Sequence, residues 1–510
     1  MKMNTLHMIL RELQSWIFLR QQRKIMAQYP RVRIFTLILV IFLIPFWQFN
    51  IFEHRSEITN EHRIWGMQGN SGQWKFVYFF HYLGIYPVAA AGERMVLLAN
   101  KESAAEAFRM AEYGIYVGET AEQLSLIPYL LDVWIGGDPR HPSVTPATAF
   151  GFTLALLAIW IAFWSVRLEV FGAFFVLLLG SDSFQLYEVY RAENVFSWVR
   201  TTGLFAMAAA IPLLLNPNFR LPNKGILYVG YPFIVALFTG LMFGASRHMR
   251  PECMMTMPVI LVVLMIYKTE TWRTKAYLAS LFLGSFVLAQ SALQWHFRVL
   301  GLESHRTVVA AGGASVKNPL NETIFHNFWH PMWIGVGDFD TKYGYLYDDN
   351  TAVRFVTPKV GPPGTVFNYD SDVRAYGALR EKLLGDIVRD PLWYGEIQFK
   401  RLLRVLSEGS PPRIWWGSGG IKMPASNHGS FYVTLIVIAV LLMTRRWKFL
   451  VAAFLSLAFG GVAFFVTSAG GTHYYSAIHL FSMAFLLGVL CESGLGLGTG
   501  LRKIKFGVRQ

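Results

Sequence analysis

Three glutamates follow the first strongly apolar segment of the chain at a regular spacing. Glu53, Glu57 and Glu61 are four residues apart, and Arg55 and Arg63 are interleaved with them. If this segment is helical, the three carboxylates line one face. Such a row can take part in catalysis; the alternative is a solvated helix whose glutamates pair with the flanking arginines. The spacing alone favours neither interpretation.

A second acidic set follows a later apolar run that ends in FFVLLLGS. Asp182 comes directly after this run, and Glu188 and Arg191 follow it as candidates for substrate binding. An ionisable group near the hydrocarbon boundary is costly, which makes Asp182 a candidate functional residue. The alternative is that Asp182 caps the helix predicted for FQLYEVYRAEN. The two roles are compatible.

Basic residues gather in the segment ASRHMRPE, at the predicted outer end of the fifth apolar run. Arg247, His248 and Arg250 stand there, although basic residues are typical of the opposite side. The guanidinium fork matches phosphate oxygens, so these residues predict contact with an anionic headgroup such as a lipid phosphate. The alternative is ordinary salt bridges to Glu252 or to the first acidic row.

No metal, redox, nucleophile or nucleotide motif is present: HEXXH, CXXC, GXSXG and the P-loop pattern are all absent. His326 and His330 are four residues apart, as two metal ligands on one helix face would be. However, Pro331 disfavours helical backbone at His330, so we do not expect a metal there. No cofactor is predicted, and no motif supports a divalent metal.

The elements that position these residues are predicted to be membrane helices. Hydrophobic residues make up 54% of the 510 residues, charged residues only 15%, and the mean hydropathy is +0.36. An average soluble domain has about 25% charged residues. Several apolar runs are long enough, or nearly so, to cross about 30 Å of hydrocarbon. We predict a mainly α, polytopic membrane protein with ten spans, roughly at 34–50, 148–166, 168–181, 201–215, 225–245, 256–268, 276–293, 429–444, 449–467 and 474–491.

The basic residues predict the orientation of these spans. Much of the net charge of +14 flanks apolar runs, in the N-terminal arm, at Arg445 and Arg446, and in the C-terminal tail. Under the positive-inside rule these segments are cytoplasmic, so both termini are predicted inside and no nucleic-acid partner is needed to explain the charge. Cys253 and Cys491 then fall near opposite faces. A long outer loop without a cystine framework favours a bacterial inner membrane.

The same topology divides the chain into four regions. They are a basic amphipathic cytoplasmic arm (1–33), a membrane domain with a long first outer loop (34–293, loop 51–147), an outer-face periplasmic domain (294–428), and C-terminal spans with a basic tail (429–510). The aromatic segment from Phe76 to Ala99 is predicted to lie at the interface, with a re-entrant or spanning helix as the alternative.

The chain resembles the GT-C superfamily of membrane glycosyltransferases, which includes the aminoarabinose and mannose transferases that use polyprenyl-phosphate sugars. The layout is similar over most of the chain: a span, a long first outer loop, acidic residues on the first two outer loops, many spans and a large late outer domain. The segment Asn60–Ile64 (NEHRI) is similar to the family's Asp-Glu-x-Arg-Tyr segment. Asn60 stands where the family usually has aspartate, so Glu61 is the expected catalytic residue and Glu57 is the second candidate.

This resemblance implies transfer of a sugar from a lipid-linked donor to an envelope glycan, glycolipid or protein acceptor at the membrane surface. A carboxylate (Glu61, Asp182 or Glu57) would act as general base toward the acceptor hydroxyl. Arginines would stabilise the departing lipid phosphate; the candidates are Arg247, Arg250, Arg404 and Arg413. The oligosaccharyltransferase branch uses a divalent metal and the lipid-phosphate-sugar branch does not, and both alternatives stay open.

The stretch from Phe325 to Asp349 is rich in aromatic residues, glycine and aspartate. One interpretation is that Trp333 belongs to the core of the outer domain or packs at the membrane edge. The other is that His326, His330 and Trp333 line a substrate pocket where rings stack on sugar faces. Gly335 and Gly337 would then let the backbone approach closely.

Other classes of function remain as alternatives. A transporter or flippase of an anionic lipid-linked substrate usually places ionisable residues inside its spans, and these span interiors are nearly free of charge. An O-antigen ligase or polymerase is typified by paired arginines in a late outer loop, here Arg401, Arg404 and Arg413. A non-catalytic scaffold is the third alternative. The acidic first loop favours the glycosyltransferase class.

Overall fold

The computed structural model describes residues 29–54, 126–136, 145–182, 186, 189–190, 197–215, 230–249, 251–266, 271–310, 329–360 and 373–407. Of these residues 88% are helical and none lies in a strand. The described helices are α1 Pro30–Glu53, α2 Leu126–Trp134, α3 Thr145–Ser165, α4 Glu169–Ser181, α5 Ser197–Leu215, α6 Tyr231–Ser246, α7 Met257–Ile266, α8 Trp272–Ala310, α9 Trp329–Gly337, α10 Asp349–Val360, α11 Val373–Arg389 and α12 Pro391–Ser407. The predicted mainly-α class is confirmed for this part of the chain.

Each of the first seven predicted spans coincides with a described helix, in order α1 and α3 to α8. Three helices of this part of the chain are long and apolar enough to cross a membrane: α1, α3 and the portion of α8 from Trp272 to His296. Helices α4, α5 and α6 carry shorter apolar stretches. The last three predicted spans, residues 1–28 of the N-terminal arm and the segment from Phe76 to Ala99 lie outside the described residues.

Helices α1 and α3 to α8 form a bundle around one hydrophobic core, in which successive helices alternate in direction, and α2 packs on α3. Helices α1 and α4 are parallel, because Arg33 contacts Glu169 at one end and Gln48 contacts Gly180 at the other. The start of α5 packs against the start of α3, where Trp198 faces Gly151. Phe152, Ile159 and Trp160 of α3 are fully buried, so α3 is the central helix of this core.

A tight turn reverses the chain between α3 and α4. The amide of Leu168 donates to the carbonyl of Phe163 (2.9 Å), and the amide of Arg167 donates to the carbonyl of Trp164 (3.0 Å). These two bonds form a Schellman motif, whose left-handed residue is usually glycine. Arg167 takes that conformation instead, with φ 63°. Its charge therefore lies at the C-terminal end of α3, where the helix dipole favours a cation.

Glycines let α6 and α8 pack closely against each other in the bundle. A Cβ atom on Gly240 would overlap Ser285 Oγ and the carbonyl oxygen of Phe282, and one on Gly244 would overlap the carbonyl oxygen of Phe286. Small residues at such crossings let two helices approach closely, which is how helices associate where lipid removes the hydrophobic drive. The two helices run parallel, since Phe233 meets Tyr277 near their starts and His248 meets Gln290 further along.

Helix α8 is much longer than its predicted span. The span was expected to end near residue 293, whereas the helix continues to Ala310 and covers 39 residues. Its length is about 58 Å, roughly twice the hydrocarbon thickness. The residues after 293 are more polar but include no proline, so hydropathy falls there while the backbone remains helical.

Helices α9 to α12 form a separate four-helix unit with its own core. Its buried residues include Trp333, Tyr345, Leu379, Trp393 and Ile397. The rings contact one another, with centroids 4.6 Å apart for Trp333 and Tyr345 and 5.8 Å apart for Tyr345 and Trp393. This unit lies within the predicted outer-face domain (294–428).

Candidate functional site at the Asp182 end of the bundle

Helix directions bring several of the predicted site residues to one end of the bundle. We call it the Asp182 end: it comprises the C-terminal ends of α1, α4 and α6 and the N-terminal ends of α3 and α5. The Thr202 hydroxyl at the start of α5 lies 3.5 Å from Ser246 Oγ at the end of α6, which joins these helices at that end. We call the opposite end, where Arg33 meets Glu169, the Glu169 end.

Asp182 stands between α4 and the following helical residues. Its backbone is extended (φ −66°, ψ 119°), and its carbonyl accepts a hydrogen bond from the amide of Leu186 (3.0 Å). An extended residue whose carbonyl accepts the first helical bond has the backbone geometry of an N-cap. The side chain is 1% exposed. The structure therefore has the predicted cap position and buries the carboxylate at the end of the bundle.

Gln48 is a buried polar residue at this end that sequence reasoning missed. It is 3% exposed, and its Nε2 donates to the carbonyl of Gly180 (3.2 Å). A Cβ atom on Gly180 would come within 2.8 Å of that nitrogen, so the glycine makes room for the glutamine. The signal was the pair of amides, Gln48 and Asn50, near the end of the otherwise apolar α1. Through its bond to Gly180, Gln48 holds α1 against the end of α4, two residues before Asp182.

His248 is predicted to bind an anionic headgroup, but its surroundings give it a different role in the fold. It is 5% exposed, and its Nε2 lies 3.0 Å from the carbonyl of Gln290, to which it donates. Burial lowers the pKa of His248, the hydrogen bond to Gln290 opposes this, and the charge of Arg247 lowers it further. The imidazole is thus favoured in its neutral form, as a donor that joins the end of α6 to α8.

Arg247 and Asp182 share an end of the bundle but belong to helices with others between them. Helix α3 packs on α4, and α5 packs on both α3 and α6. Arg247 is the C-cap residue of α6, with its amide bonded to the carbonyl of Phe243 (3.1 Å). The end therefore carries Asp182 on one side and Arg247 on the other.

Several predicted site residues cannot be located from the described part of the chain. Glu57, Glu61, Glu188, Arg191, Arg250 and His326 lie outside the described residues. Arg404 lies in α12, near its C-terminal end.

Pro331 was expected to disfavour helical backbone at His330, and this expectation is wrong. Helix α9 begins at Trp329, so His330 is helical and Pro331 occupies the first turn. Proline is tolerated there because amides of the first turn have no partner within the helix. His330 is 2% exposed within the four-helix unit.

Trp333 lies in the core of the four-helix unit. This agrees with the interpretation that it is a core residue and not a wall of a substrate pocket. It is 1% exposed, and its ring centroid is 4.7 Å from that of Phe355. The close backbone approach expected at Gly337 is also internal: a Cβ atom there would overlap the backbone of Leu346. This stretch uses its aromatic rings and glycine to pack against itself.

Two tyrosines of the same stretch bind carboxylates of α11 and the α11–α12 turn. Tyr345 donates to Asp386 Oδ2 (2.9 Å), and Tyr343 donates to Asp390 Oδ2 (3.0 Å). Burial and the bond to Asp386 raise the pKa of Tyr345. Tyr343 and Gly344 both have left-handed backbones, with φ 70° and 81°. That conformation is strained for tyrosine and is maintained by these contacts.

A buried ion pair at the Glu169 end also escaped sequence reasoning. Glu169 is fully buried, and Arg33 Nε donates to its Oε1 (2.5 Å). The guanidinium also donates to the carbonyl of Trp164 (2.8 Å) and lies 4.6 Å from the centroid of its ring. Both charges stand near helix starts; from the sequence, Arg33 was placed in the basic N-terminal arm and Glu169 was assigned no role. Their pairing holds three helices together at this end.

Within the described residues, no group of three His, Cys, Asp or Glu side chains is placed to hold a metal ion. Cys253 is buried. No family model, no curated protein and no solved structure matches this chain.

Proposed function

We propose that this protein is a membrane glycosyltransferase of the GT-C type, with ten spans, that transfers a sugar from a polyprenyl-phosphate donor to an acceptor on the periplasmic face of a bacterial inner membrane. The observation that carries the proposal is the buried carboxylate of Asp182 at the bundle end that also carries Arg247. Glu61 and Glu57 follow α1, whose C-terminal end belongs to the same end of the bundle.

The charge difference between the two ends supports the proposed orientation. Arg33, Arg167, Arg273 and Lys275 all belong to the Glu169 end or to the start of α8, which meets the start of α6 there. Cytoplasmic segments are rich in lysine and arginine. The Asp182 end would then face the periplasm, where lipid-linked sugars present their headgroups to enzymes of this class.

The proposed reaction is a direct displacement. The carboxylate of Glu61, assisted by Asp182 or Glu57, takes the proton of the acceptor hydroxyl, whose oxygen forms the new bond to the anomeric carbon of the sugar. The bond between that carbon and the phosphate oxygen breaks, and its electron pair leaves with the lipid phosphate. Arg247 and Arg250 neutralise the departing phosphate, with Arg404 as a further candidate. The configuration at the anomeric carbon inverts.

Glu188, Arg191 and His326 remain proposed substrate contacts. Trp333 and His330 are not carried forward as pocket residues because both are buried in the four-helix unit. Arg401, which the ligase alternative would use, is also fully buried there, beside Phe339 at 5.6 Å. That burial favours the transferase over the ligase alternative.

The test compares Glu61→Gln and Asp182→Asn with Glu396→Gln in a strain that lacks the chromosomal gene. Asparagine caps a helix about as well as aspartate, so a residue that only caps tolerates Asp182→Asn. We expect mass spectrometry of envelope glycans and lipids to show a sugar lost in the deletion strain, restored by wild type and Glu396→Gln, and not restored by the other two variants at equal membrane abundance. Full restoration by both site variants would refute the proposed site. An unchanged glycan profile with accumulated lipid-linked substrate would favour transport.

A further inference from the structure

Large apolar side chains are exposed along one edge of the four-helix unit. We define the apolar edge as Leu384 and Val388 of α11 with Leu392, Phe399 and Leu403 of α12. Their side chains are 44%, 81%, 86%, 59% and 41% exposed in that order. The two most exposed, Val388 and Leu392, flank the turn between the helices. Contiguous exposed apolar residues mark a surface that meets something apolar.

The apolar edge is not part of the unit's own core. Trp393, Ile397 and Arg401 are the buried side of α12, and they recur at four-residue spacing on one face. Leu392 and Phe399 are seven residues apart and share the opposite face. Helix α12 is therefore apolar on two sides, and its core side is already filled.

The position of α12 in the chain indicates a lipid surface as the occupant. The unit follows α8, whose portion from Trp272 to His296 is apolar enough to cross a membrane. After α12, the sequence of residues 408–428 includes Trp415 and Trp416, and the next apolar run begins at about residue 429. Tryptophan is enriched where a chain enters the bilayer. The helix that carries the apolar edge is thus the one that leads toward the next predicted span.

The charges beside the apolar edge fit an anionic bilayer surface. Arg380 and Arg389 are exposed on α11 next to Leu384 and Val388. Glu381 is exposed on α11 as well, and Glu396 lies on the same side of α12 as Leu392 and Phe399, where it forms an ion pair with Lys400 (2.7 Å). Apolar side chains bordered by cations are typical of helices that lie in the membrane interface.

We propose that the apolar edge of the four-helix unit lies in the interfacial region of a lipid bilayer, with Val388 and Leu392 inserted among the lipid chains and Arg389 at the depth of the headgroups. This inference does not depend on the glycosyltransferase proposal, because it concerns where the unit sits and not what the protein transfers.

Spin-label accessibility in the full-length protein tests the inference. Cys253 and Cys491 are replaced by alanine, and a nitroxide is attached at Leu392→Cys or, as the matched control, at Arg354→Cys on α10, a side chain that is 73% exposed. The protein is reconstituted in vesicles of phosphatidylcholine and phosphatidylglycerol in equal parts. Collision with oxygen, which concentrates in lipid, is compared with collision with a water-soluble nickel chelate.

We expect the ratio of oxygen to nickel accessibility to be several-fold higher at position 392 than at position 354, and Val388→Asp to lower the ratio at 392. Equal ratios at both positions overturn the inference. So does exclusion of both reagents at 392, which indicates cover by another segment of this chain. Dipolar broadening between labels at 392 indicates a second copy instead, and overturns it as well.

Discussion

The bundle and the four-helix unit bury polar groups in different ways. In the bundle, α6 and α8 approach through Gly240 and Gly244, and buried ionisable groups such as Glu169 and Asp182 stand at the ends of helices. In the four-helix unit, carboxylates lie beside aromatic rings and accept bonds from tyrosine hydroxyls, as Asp386 does from Tyr345. The bundle therefore depends on backbone proximity, whereas the unit depends on an aromatic core that water drives together.

Filling the glycine contact between α6 and α8 should have the largest effect on the stability of the bundle. Gly240→Leu with Gly244→Leu places side chains where Ser285, Phe282 and Phe286 already stand. Overpacking usually costs about 1–3 kcal/mol, and here rigid backbone atoms are met, so we expect about 3 kcal/mol or more per residue and loss of folded protein. The readout is the yield of monodisperse protein in detergent and its melting temperature.

The matched control is Gly284→Leu on the exposed side of α8, where a Cβ atom meets nothing within 4 Å. This variant should match wild type, because glycine is a weak helix former and nothing is displaced. Equal losses in both variants would contradict the glycine contact.

Truncating a side chain in the aromatic core of the four-helix unit should lower stability nearly as much. Trp333→Ala should cost about 3–5 kcal/mol because it leaves a cavity among Tyr345, Phe355 and Lys382. Limited proteolysis should then cleave within 329–407 while the bundle persists. Trp272→Ala, at a residue 72% exposed in α8, serves as the control and should leave the unit resistant. Normal resistance to proteolysis together with lost sugar transfer would instead support a role for Trp333 in a substrate pocket.

The buried pair at the Glu169 end gives an intermediate effect. Glu169→Gln removes the partner of Arg33 and should cost about 3 kcal/mol, as breaking a buried pair does. The double variant Arg33→Met with Glu169→Leu should recover most of this loss, since two apolar side chains replace two charges. Thermal melting in detergent of wild type, Arg33→Met, Glu169→Leu and the double variant gives the four corners of the cycle. Strictly additive losses would mean that the two residues do not act as a pair.

The smallest expected effect is a change in the acid stability of the four-helix unit. The hydrogen bond from Lys342, the amide of Trp393 and the Tyr343 hydroxyl lower the pKa of Asp390. Because the folded-state pKa is lowered, this stabilisation is present above the unfolded value of about 3.9 and is lost as the pH falls through the folded value. Asp390→Asn should flatten the loss of stability below about pH 4, measured by proteolytic resistance of 329–407. An unchanged acid profile would exclude Asp390 as a contributor.

Helix positions in the bundle were predictable because long apolar runs between basic residues show where helices are needed in lipid. The ends of helices were less predictable. Helix α8 continues beyond its predicted end at residue 293 because polar residues without proline do not end a helix. At Pro331 the local rule failed because it describes the residue before proline in general, whereas this proline stands in a first turn.

Pairings between distant residues were beyond prediction from one sequence. Arg33 and Glu169 are 136 residues apart, and neither has a local feature that names the other. Gln48 becomes meaningful only beside Gly180. The cap position of Asp182 was predictable from its neighbours, whereas the burial of its carboxylate depends on helices that lie elsewhere in the chain.

Helix α8 has a mechanical consequence that follows from its length. His248 contacts it at Gln290, and the helix then continues to Ala310, about 30 Å farther along its axis. A continuous helix transmits rotation along its length as a stiff lever. A tilt of about 10° at Gln290 would therefore move Ala310 sideways by about 5 Å. Any change in the direction of α8 at Gln290 would therefore produce its largest displacement at the Ala310 end of the helix.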